Sequence, residues 1–466
     1  MAKKTKAADL SIEEKLEQAL IVPGYEPYKI PDNWCWTTVG TVTNIYRGVS
    51  YKKNEGHSEK HMNDCLVLRG GNIQEGSIDT ETDNVFVNRD LVSGTQIIRK
   101  YDVIIVSSTG SKKVIGRAGI SFSDYSDVAF GAFLTLVRAN DYIYKPFIAY
   151  YLQSDIYRNR IRTLASGVNI NNIRNEYITE TPLSLPPLPE QQRIVERIES
   201  LFSKLDEAKE KAQEVIDSFE IRKAAILHKA FSGELTAKWR EENGVGIESW
   251  KNRSINDICH SLKYGTSKKS KTQGSVIVIR MGNIQQGEID WSDLAYTDDK
   301  EDIEKYRLSP GDVLFNRTNS AVLVGKTSIY RGEFPAIYAG YLIKLDYKHD
   351  EIIGDYLNYA LNTPAAKEYC NNVKTDGVNQ SNINAKKIGA FVIPVASINE
   401  QQVIIEIISS LLKKENESKQ AAEVAIDQIY TMKKAILARG FRGELGTNDP
   451  EEESAVELLK QILSGE

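Results

Sequence analysis

Apolar residues recur at alternating intervals of four and three in two stretches of the chain, which predicts two long helices with a coiled-coil seam. The first stretch covers Glu190 to Phe231, and the second covers Ile404 to Ile436. Arg222 interrupts the first stretch, and Glu415 and Ser418 interrupt the second. The predicted seam positions are Ile194, Ile198, Leu201, Leu205, Val215, Phe219 and Ile226 in the first helix and Ile404, Ile408, Leu411, Ile429, Met432 and Ile436 in the second.

The 3.5-residue interval indicates that the two helices pack against each other. An amphipathic helix that packs on its own globular domain usually has a 3.6-residue interval, and it remains the alternative. If the two helices pair in opposite directions, the domains that precede them lie at opposite ends of the pair. Glu190 to Phe231 spans about 60 Å at about 1.5 Å per residue. The pair would then set a fixed distance between two domains.

Outside the helices, short runs of β-branched and aromatic residues alternate with turns rich in Gly, Asn, Asp and Ser. Examples are Val103–Val106 and Val313–Phe315. Ser11 with Glu14 and Asp449 with Glu452 predict caps for short terminal helices. We expect a mixed α/β fold, in which two pseudo-symmetric α/β domains are separated by two long antiparallel coiled-coil helices. The predicted segments are an N-terminal tail and short helix (1–22), a first α/β domain (23–188), a first long helix (189–243), a second α/β domain (244–398) and a second long helix with a C-terminal helix (399–466).

Three motifs occur twice, at offsets of 210 or 211 residues, so the chain is an internal duplication. Two copies of one module suit a target with two parts, or two copies of one partner. The repeated motifs are RGGNIQEGSID from Arg69 and RMGNIQQGEID from Arg280, Glu190-Gln191-Gln192 and Glu400-Gln401-Gln402, and KAAILHKAFSGEL from Lys223 and KKAILARGFRGEL from Lys433.

Length and composition are those of a multidomain globular protein. The chain has 466 residues, of which 41% are hydrophobic and 26% charged. One hydrophobic core rarely serves more than about 300 residues. The four cysteines are scattered without a CxxC pair, and no run of about 18 apolar residues occurs. We therefore expect a cytoplasmic protein without a membrane partner.

The net charge of −5 disfavours a nucleic-acid-binding protein at first sight. The acidic excess, however, lies in 190–243 and 399–466, whereas both α/β domains are close to neutral and contain basic clusters. This distribution permits DNA binding by the two domains.

The chain has no Walker A loop, no GxGxxG between a strand and a helix, no nucleophile elbow and no HExxH. Asp102 and Asp312 precede matching strands without an acidic-x-Lys pattern, so we interpret them as turn aspartates. His57, His61 and Cys65 have the chemistry of a metal-ligand trio, but the second copy has no counterpart. We expect a non-catalytic chain with no metal and no cofactor of its own.

Three polar loops recur at matching places in the two α/β domains, and they predict a DNA-binding edge. Asn and Gln can pair with adenine and Arg with guanine, while Lys, Ser and Thr contact phosphates. Taken singly, each loop is equally typical of a turn or a solvated surface. The candidate contacts are Arg47, Lys52, Lys53, Ser107, Lys112, Lys113, Asn169 and Asn171 in the first domain and Tyr264, Lys268, Lys269, Arg317, Asn319, Asn379 and Gln380 in the second.

Some polar residues are identical in both copies, which favours a shared structural turn over base recognition. They are left out of the candidate contacts. These residues are Arg69 and Arg280, and Asn72 and Asn283.

The chain resembles the specificity (S) subunit of type I restriction–modification enzymes. The resemblance rests on PPLPEQQRIVERIESLFSKLDEA from Pro186, on the helix endings AFSGEL and GFRGEL, and on the domain openings at Trp34-Cys35-Trp36 and Trp250. The second copy departs from this pattern in VIPVASINEQQ, where prolines of the first copy are absent.

The resemblance implies that each α/β domain is a target-recognition domain that reads one half of a split, asymmetric site in double-stranded DNA. The helices would hold the spacing and dock two methyltransferase subunits, and restriction/translocase subunits would join the complex. S-adenosylmethionine, ATP and Mg²⁺ would then bind the partner subunits. The competing interpretation, favoured by net acidity, is a two-lobed coiled-coil protein-interaction scaffold without a DNA role.

Overall fold

The computed structural model describes residues 10–111, 113–165, 172–378 and 380–465. The chain forms two compact units. Unit 1 comprises Met1–Lys211 and Ala425–Glu466, and unit 2 comprises Ala212–Val424. Among the described residues, no helix has the length and apolar character needed to cross a lipid bilayer.

The helices include two long ones, and the first predicted long helix, Glu190 to Phe231, is divided at Ser218 into two helices. In chain order they are α1 (Ile12–Ala19), α2 (Val39–Val42), α3 (Lys145–Tyr151), α4 (Asp155–Ala165), α5 (Asn175–Thr179), α6 (Leu188–Asp217), α7 (Phe219–Phe231), α8 (Ala237–Glu242), α9 (Ile255–Ile258), α10 (Lys300–Lys305), α11 (Gly354–Leu361), α12 (Pro364–Val373), α13 (Ala385–Gly389), α14 (Ile398–Gly440) and α15 (Ala455–Ser464). Short 3₁₀ turns lie at Gly70–Asn72, Arg89–Leu91, Gly94–Gln96, Glu234–Thr236, Ile247–Ser249 and Met281–Asn283.

Three β-sheets form the framework of unit 1. Its strands are β1 (Cys35–Thr38), β2 (Thr43–Arg47), β3 (Asp64–Leu68), β4 (Phe86–Asn88), β5 (Val103–Val106), β6 (Ala118–Ile120), β7 (Val128–Phe130), β8 (Leu134–Ala139) and β9 (Pro182–Leu185). An antiparallel sheet has the order β2–β8–β5–β6, and a second sheet has the order β4–β3–β7 with β3 and β7 parallel. β1 pairs with β9 in antiparallel register.

The central strand β5 separates two cores in unit 1. Val103 and Ile105 face α3 and α4, while Ile104 and Val106 face β3 and β7. Because side chains alternate between the faces of a strand, the continuous apolar run of β5 fits burial on both sides.

Unit 2 repeats the same framework. Its strands are β10 (Lys251–Ser254), β11 (Cys259–Tyr264), β12 (Val276–Ile279), β13 (Ile284–Gln285), β14 (Glu288–Ile289), β15 (Tyr296–Thr297), β16 (Val313–Asn316), β17 (Thr318–Asn319), β18 (Thr327–Ile329), β19 (Ala336–Tyr338), β20 (Leu342–Tyr347), β21 (Thr375–Asp376), β22 (Ser381–Asn382) and β23 (Val392–Val395). The sheet β11–β20–β16–β18 corresponds to β2–β8–β5–β6, and β15–β12–β19 corresponds to β4–β3–β7. β10 pairs with β23, and the smaller sheets are β13–β14 and β17–β22–β21.

The repeated Glu-Gln-Gln motif attaches the start of each long helix to its α/β domain. In unit 1, the Trp34 indole donates a 2.8 Å hydrogen bond to the Glu190 carboxylate, and Gln191 accepts one from the Tyr144 backbone. The Glu190 and Gln191 side chains are fully buried, and these hydrogen bonds replace their contacts with water. The motif is therefore a structural joint rather than a recognition element.

Unit 2 has the same joint. Trp250 donates a 2.8 Å hydrogen bond to Glu400, and Gln401 accepts one from the backbone of Ile353. The tryptophan at the start of each domain therefore serves as the hydrogen-bond donor to the motif glutamate of that domain.

The repeated helix endings attach to the domains as well. Phe441, which follows α14, is buried against Phe147 and Tyr151 in unit 1, with ring centroids 5.3 and 5.0 Å away. Phe231, at the end of α7, lies 4.9 Å from Tyr356 in unit 2. Gly443 has a left-handed backbone with a φ of 73°, as expected for a residue that ends a helix. Each domain therefore binds the start of one long helix and the end of another.

The long helices are antiparallel in unit 1. Lys433 of α14 forms a 2.6 Å ion pair with Asp206 of α6, and Lys209 of α6 donates a 2.9 Å hydrogen bond to the Tyr430 hydroxyl of α14. Residue numbers rise along one helix as they fall along the other, which is the antiparallel direction.

In unit 2, two of the three interruptions of the heptad pattern contact each other. Arg222 of α7 lies 2.5 Å from Glu415 of α14, and Lys419 lies 5.0 Å over the ring of Phe219. These contacts again have the antiparallel direction. A cation and an anion at facing seam positions satisfy each other, so the interruptions do not break the pairing.

The predicted seam is only partly buried. Ile194 and Ile198 join the domain core of unit 1, and Ile404 and Ile408 join that of unit 2. The first turns of both long helices therefore pack on their own domains, as the alternative interpretation expected. Met432 is 48% exposed, and its assignment to the seam is wrong because its side chain faces solvent. Among the other predicted seam residues, Phe219 and Ile429 are buried. The half-buried ones are Leu201, Leu205, Val215, Ile226, Leu411 and Ile436.

The terminal helices α1 and α15 contact each other in unit 1. Ser11 caps α1 with Glu14, as predicted. The predicted cap at Asp449 is wrong, because Ser454 caps α15 instead. Glu452 forms a bidentate ion pair with Arg193 of α6, at 2.7 and 2.9 Å, which holds it away from the helix start.

Candidate nucleic-acid interface

Several predicted contacts of unit 2 come together around one groove, with a volume of about 620 Å³. Lys268, Lys269 and Arg317 line it, and the Arg317 guanidinium lies 4.9 Å over the ring of Tyr264. We call this concavity the unit 2 groove. Arg280, Tyr341 and Asn382 also line it.

A close approach of two backbone segments shapes one wall of this groove. A Cβ atom at Gly265 would lie 2.2 Å from the Tyr338 carbonyl oxygen, so only glycine fits there. The next residue, Thr266, donates a 3.0 Å backbone hydrogen bond to the same carbonyl. The chain after β11 is thereby held against the end of β19, and Lys268 and Lys269 follow at once.

Unit 1 contains the same close approach. A Cβ atom at Gly48 would lie 2.1 Å from the Gly131 carbonyl oxygen, and Val49 donates a 2.7 Å backbone hydrogen bond to Phe130. The loop that carries Lys52 and Lys53 therefore leaves its sheet as the loop of Lys268 and Lys269 does.

The two groove lysines differ in their electrostatic surroundings. Lys268 lies 2.7 Å from Asp299 and 3.5 Å from Asp302, and the hydrogen bond that Lys268 donates to Asp299 raises the pKa of Lys268. Lys269 is exposed and forms no ion pair with any residue that the structure describes. Lys269 thus presents a charge without a local counterion.

Arg280 was excluded by the sequence analysis, yet it lines the unit 2 groove. Its neighbour Asn283 has the expected structural role, because its amide accepts from the Arg280 backbone at 2.8 Å and donates to Asp290 at 2.8 Å. The guanidinium of Arg280 reaches Asp293 at 3.0 Å and is 36% exposed. Identity between the two copies therefore correctly indicates a structural turn, but it does not show that the Arg280 side chain lines the groove.

In unit 1, Arg47 lies at the exposed end of β2, and Lys52, Lys53 and Lys113 are exposed as well. None of the four forms an ion pair with a residue inside the described ranges. The prediction that Ser107 contacts DNA is wrong. Its buried hydroxyl donates a 3.0 Å hydrogen bond to the Phe133 carbonyl and belongs to the sheet framework.

The third pair of predicted loops is only partly described. Asn319 lies in β17, where its side chain accepts a 2.8 Å hydrogen bond from the Ser320 backbone. Gln380 is exposed between β21 and β22. The candidates Lys112, Asn169, Asn171 and Asn379 lie outside the described residues.

Two exposed aromatic residues were missed by the sequence analysis. Phe133 is 70% exposed and Tyr341 is 49% exposed, and each occupies the turn before the long strand β8 or β20. The signal is the matching pair of sequences FGAF from Phe130 and YAGY from Tyr338. An exposed ring next to basic loops can contact a thymine methyl group or an unstacked base.

The strand aspartates have structural roles. Asp102 is buried and forms a bidentate ion pair with Arg138, at 2.8 and 2.6 Å. Asp312 pairs with Lys344 at 2.9 Å and accepts a hydrogen bond from the Ser309 backbone. Both carboxylates are therefore engaged within the fold, as the turn interpretation expects.

The family model of the type I restriction modification DNA specificity domain matches residues 31–217 and 247–427. The EcoKI specificity subunit of a type I restriction enzyme of Escherichia coli K12 is 29% identical, over 93% of this chain and 96% of that protein. The StySPI specificity subunit of Salmonella potsdam is also 29% identical, over 90% of each chain.

Two solved structures share the fold. A chain from a study of complex assembly and conformational transition of the type I R-M system has a TM-score of 0.67 at 19% identity, and the match covers 90% of this chain and 100% of that one. The HsdS subunit of Thermoanaerobacter tengcongensis has a TM-score of 0.57 at 19% identity, with 90% and 99% coverage.

Proposed function

The chain belongs to the family of type I restriction modification DNA specificity domains, and we propose that it is the DNA-recognition subunit of a type I restriction–modification complex. In this role it binds double-stranded DNA and works with the other subunits of the system. The interpretation as a protein-interaction scaffold is not favoured, because both copies of the duplicated domain match the DNA specificity family.

The observation that carries the proposal is that two equivalent frameworks present different side chains. Gly48 and Gly265 occupy corresponding places, but the residue before each is Arg47 in unit 1 and Tyr264 in unit 2. The exposed residues before β8 and β20 likewise differ, and they are Phe133 and Tyr341. Because side chains at the DNA surface determine which bases are read, two different sets read two different half-sites. The target is therefore a two-part, asymmetric sequence.

The exposed groups divide into two classes of contact. Lys52, Lys53 and Lys269 are flexible cations that suit phosphate oxygens. Arg47 and Arg317 have planar guanidinium groups that suit the paired acceptors of guanine. Phe133 and Tyr341 add apolar area beside these groups. We assign these residues, together with Arg280, to the interface.

Methyl transfer and cleavage belong to partner subunits in this proposal. Two copies of a methyltransferase subunit bring S-adenosylmethionine to the target adenine, and restriction/translocase subunits use ATP and Mg²⁺. The duplication supports two equivalent docking places. In unit 1 a cavity of about 640 Å³ lies beside Gly76, Phe202 and Lys433.

Unit 2 has a cavity of about 780 Å³ beside the corresponding residues Gly287, Leu412 and Lys223. Each cavity lies between a turn of the repeated NIQ motif and the long helices of the same unit. One partner surface can therefore bind twice, as in other assemblies with internal symmetry.

The test is co-expression of the chain with its cognate partner subunits, followed by genome-wide mapping of methylated adenine. We expect one split, asymmetric motif that disappears when the chain is omitted. A methylation pattern that persists without the chain, or a continuous palindromic motif, would contradict the proposal.

A paired variant sharpens this test. Replacing Arg317 and Tyr341 with alanine should relax the bases in one half of the motif and leave the other half unchanged. The matched variant in unit 1 replaces Arg47 and Phe133 and should relax the opposite half. Equal loss in both halves from either variant would show that the two units do not read separate half-sites.

A further inference from the structure

Three side chains of unit 1 converge at the start of β3. The Asp64 carboxylate oxygen Oδ2 lies 2.6 Å from Nε2 of His57 and 3.4 Å from Nδ1 of His61. The same two ring nitrogens lie 3.2 Å from each other. All three potential ligand atoms lie within 4.8 Å of one another.

The third potential ligand is not the cysteine that the sequence suggested. Cys65 is fully buried in the small core that it forms with Val67 and Val87. Because side chains alternate along a strand, the residue before it projects from the opposite face. Asp64 therefore takes the place that the sequence suggested for Cys65.

The three potential ligand atoms face one another. A neutral imidazole carries one N–H, and two N–H groups directed at each other would clash at 3.2 Å. One proton on Nε2 of His57 can be shared by the Asp64 oxygen, at 2.6 Å, and Nδ1 of His61. A cation that replaces this proton would contact all three atoms at once.

The backbone holds these groups in place. His57 exchanges two backbone hydrogen bonds with Phe86 at the outer edge of β4, and β3 pairs with the other edge of that strand. The chain crosses the end of β4 between His57 and Asp64, where the Asn63 carbonyl accepts from the Arg89 backbone at 2.9 Å. The three side chains thus sit on a short crossing that is attached at both ends.

The backbone holds the carboxylate in place. The Asp64 side chain is only 5% exposed, and Oδ2 accepts a 2.8 Å hydrogen bond from the His61 backbone. His61 is 66% exposed, so an ion has access from solvent.

We propose that His57, His61 and Asp64 bind one divalent transition-metal ion of the Zn²⁺ class, with the fourth position open to water. Metal–ligand distances of about 2.0–2.1 Å place tetrahedral ligands about 3.3–3.4 Å apart, and two of the three separations are close to this value. The imidazole ring of His57, which is 33% exposed, needs only a small shift to lengthen the third separation. The ion would fix the crossing over β4.

The donor set determines which ions are accepted. Imidazole nitrogen suits Zn²⁺, Co²⁺, Ni²⁺ and Cu²⁺, whereas Mg²⁺ prefers six oxygen ligands. The site is therefore distinct from the Mg²⁺ that we assign to partner subunits. It is also independent of the proposed function, because the unit 2 framework has no counterpart of the two histidines.

The test is calorimetric titration of the full chain, first treated with EDTA, with ZnCl₂ and separately with CoCl₂ and MgCl₂. We expect one equivalent of Zn²⁺ to bind, Co²⁺ to give the strong visible absorption of a four-coordinate ion, and Mg²⁺ not to bind. His61→Ala should weaken Zn²⁺ binding by at least about tenfold. Asp64→Asn should weaken it as well.

The matched control is His260→Ala, which removes an exposed histidine from unit 2. It should bind Zn²⁺ as the unmodified chain does. His61 is mostly exposed, so its replacement should leave the circular dichroism spectrum unchanged even if Asp64→Asn does not fold. Absence of saturable Zn²⁺ binding, or equal binding by His61→Ala and the unmodified chain, would overturn the proposal.

Discussion

Glu190 and Glu400 occupy the same place in two copies of one motif, but their carboxylates have different partners. Glu400 is fully buried and forms a 2.7 Å ion pair with Arg240, which is also buried. Glu190 is equally buried and accepts hydrogen bonds from Trp34 and Thr447, but among the described residues it has no ion-pair partner. Burial consequently raises the pKa of Glu190.

We predict that Glu400→Gln and Glu190→Gln have unequal effects on stability. Glu400→Gln leaves the Arg240 guanidinium buried without an anion and should lower the free energy of unfolding by about 3 kcal/mol. Glu190→Gln retains an acceptor for Trp34 and should change the stability by less than about 1 kcal/mol. Urea unfolding at neutral pH, followed by circular dichroism, measures both. Equal destabilisation would show that the two joints are electrostatically alike.

The raised pKa of Glu190 also predicts a pH dependence. A carboxyl group whose pKa is higher in the folded than in the unfolded state stabilises the fold at pH values below the unfolded pKa. That contribution is lost as the pH rises through the folded pKa. Glu190→Gln cannot ionise, so its stability relative to the unmodified chain should increase between pH 4 and pH 7. Unfolding curves at several pH values in this interval check the sign, and a decrease would contradict it.

The groove lysines give a prediction on DNA binding. Lys269→Ala should reduce the slope of log affinity against log salt concentration by about one unit, because one phosphate contact is lost. Lys268→Ala should reduce the slope less, because Asp299 and Asp302 already neutralise that ammonium group. The measurement is DNA binding by the assembled complex at several salt concentrations. A slope that is unchanged in Lys269→Ala would remove that lysine from the interface.

At the scale of elements, the long helices and the duplication could be predicted from the sequence, because both are repetitive signals. A heptad pattern extends over many residues, and a repeated motif can be recognised by comparing the chain with itself. The order of the strands could not be predicted. Most strands have only two to five residues, and β3 pairs with β7 across a long insertion, so no local pattern records the pairing.

The candidate site was predicted only in outline. The loops after β2 and β11 were identified because basic residues recur there, and their exposure in the structure agrees with this. Ser107 was wrongly predicted as a DNA contact. In the sequence, a serine in a polar run looks the same whether its hydroxyl donates to solvent or to a backbone carbonyl. Phe133 and Tyr341 were missed because an aromatic residue beside a strand predicts burial, and only the tertiary structure shows that these two are exposed.

The facing interruptions of the helix pattern lead to a prediction at this scale. Arg222→Glu would place two carboxylates at one seam position and should destabilise unit 2 by about 1 kcal/mol, and Glu415→Arg should do the same with two guanidinium groups. The double variant restores an opposite-charge pair in reversed order and should recover most of the loss. A double-mutant cycle from urea unfolding measures the coupling. Additive losses would show that the two residues do not interact.

At the scale of the whole molecule, the chain passes between the two units twice. The crossings lie between Lys211 and Ala212 and between Val424 and Ala425. The first crossing is inside α6 and the second is inside α14. Both crossings are therefore helical, and the length of the helix can be changed at each of them.

Insertion of seven residues at each crossing tests whether helix length sets the spacing of the DNA site. Seven residues preserve the 3.5-residue seam and add about 10 Å of helix at about 1.5 Å per residue. This length equals about three base pairs at about 3.4 Å each, so the unread spacer of the methylated motif should lengthen by about three base pairs while both half-sites stay the same. Insertion into α6 alone mismatches the antiparallel partners and should abolish methylation. A doubly extended chain that still methylates the original spacer would show that the spacing is set elsewhere, because the helices would then have lengthened without moving the two recognition surfaces along the DNA.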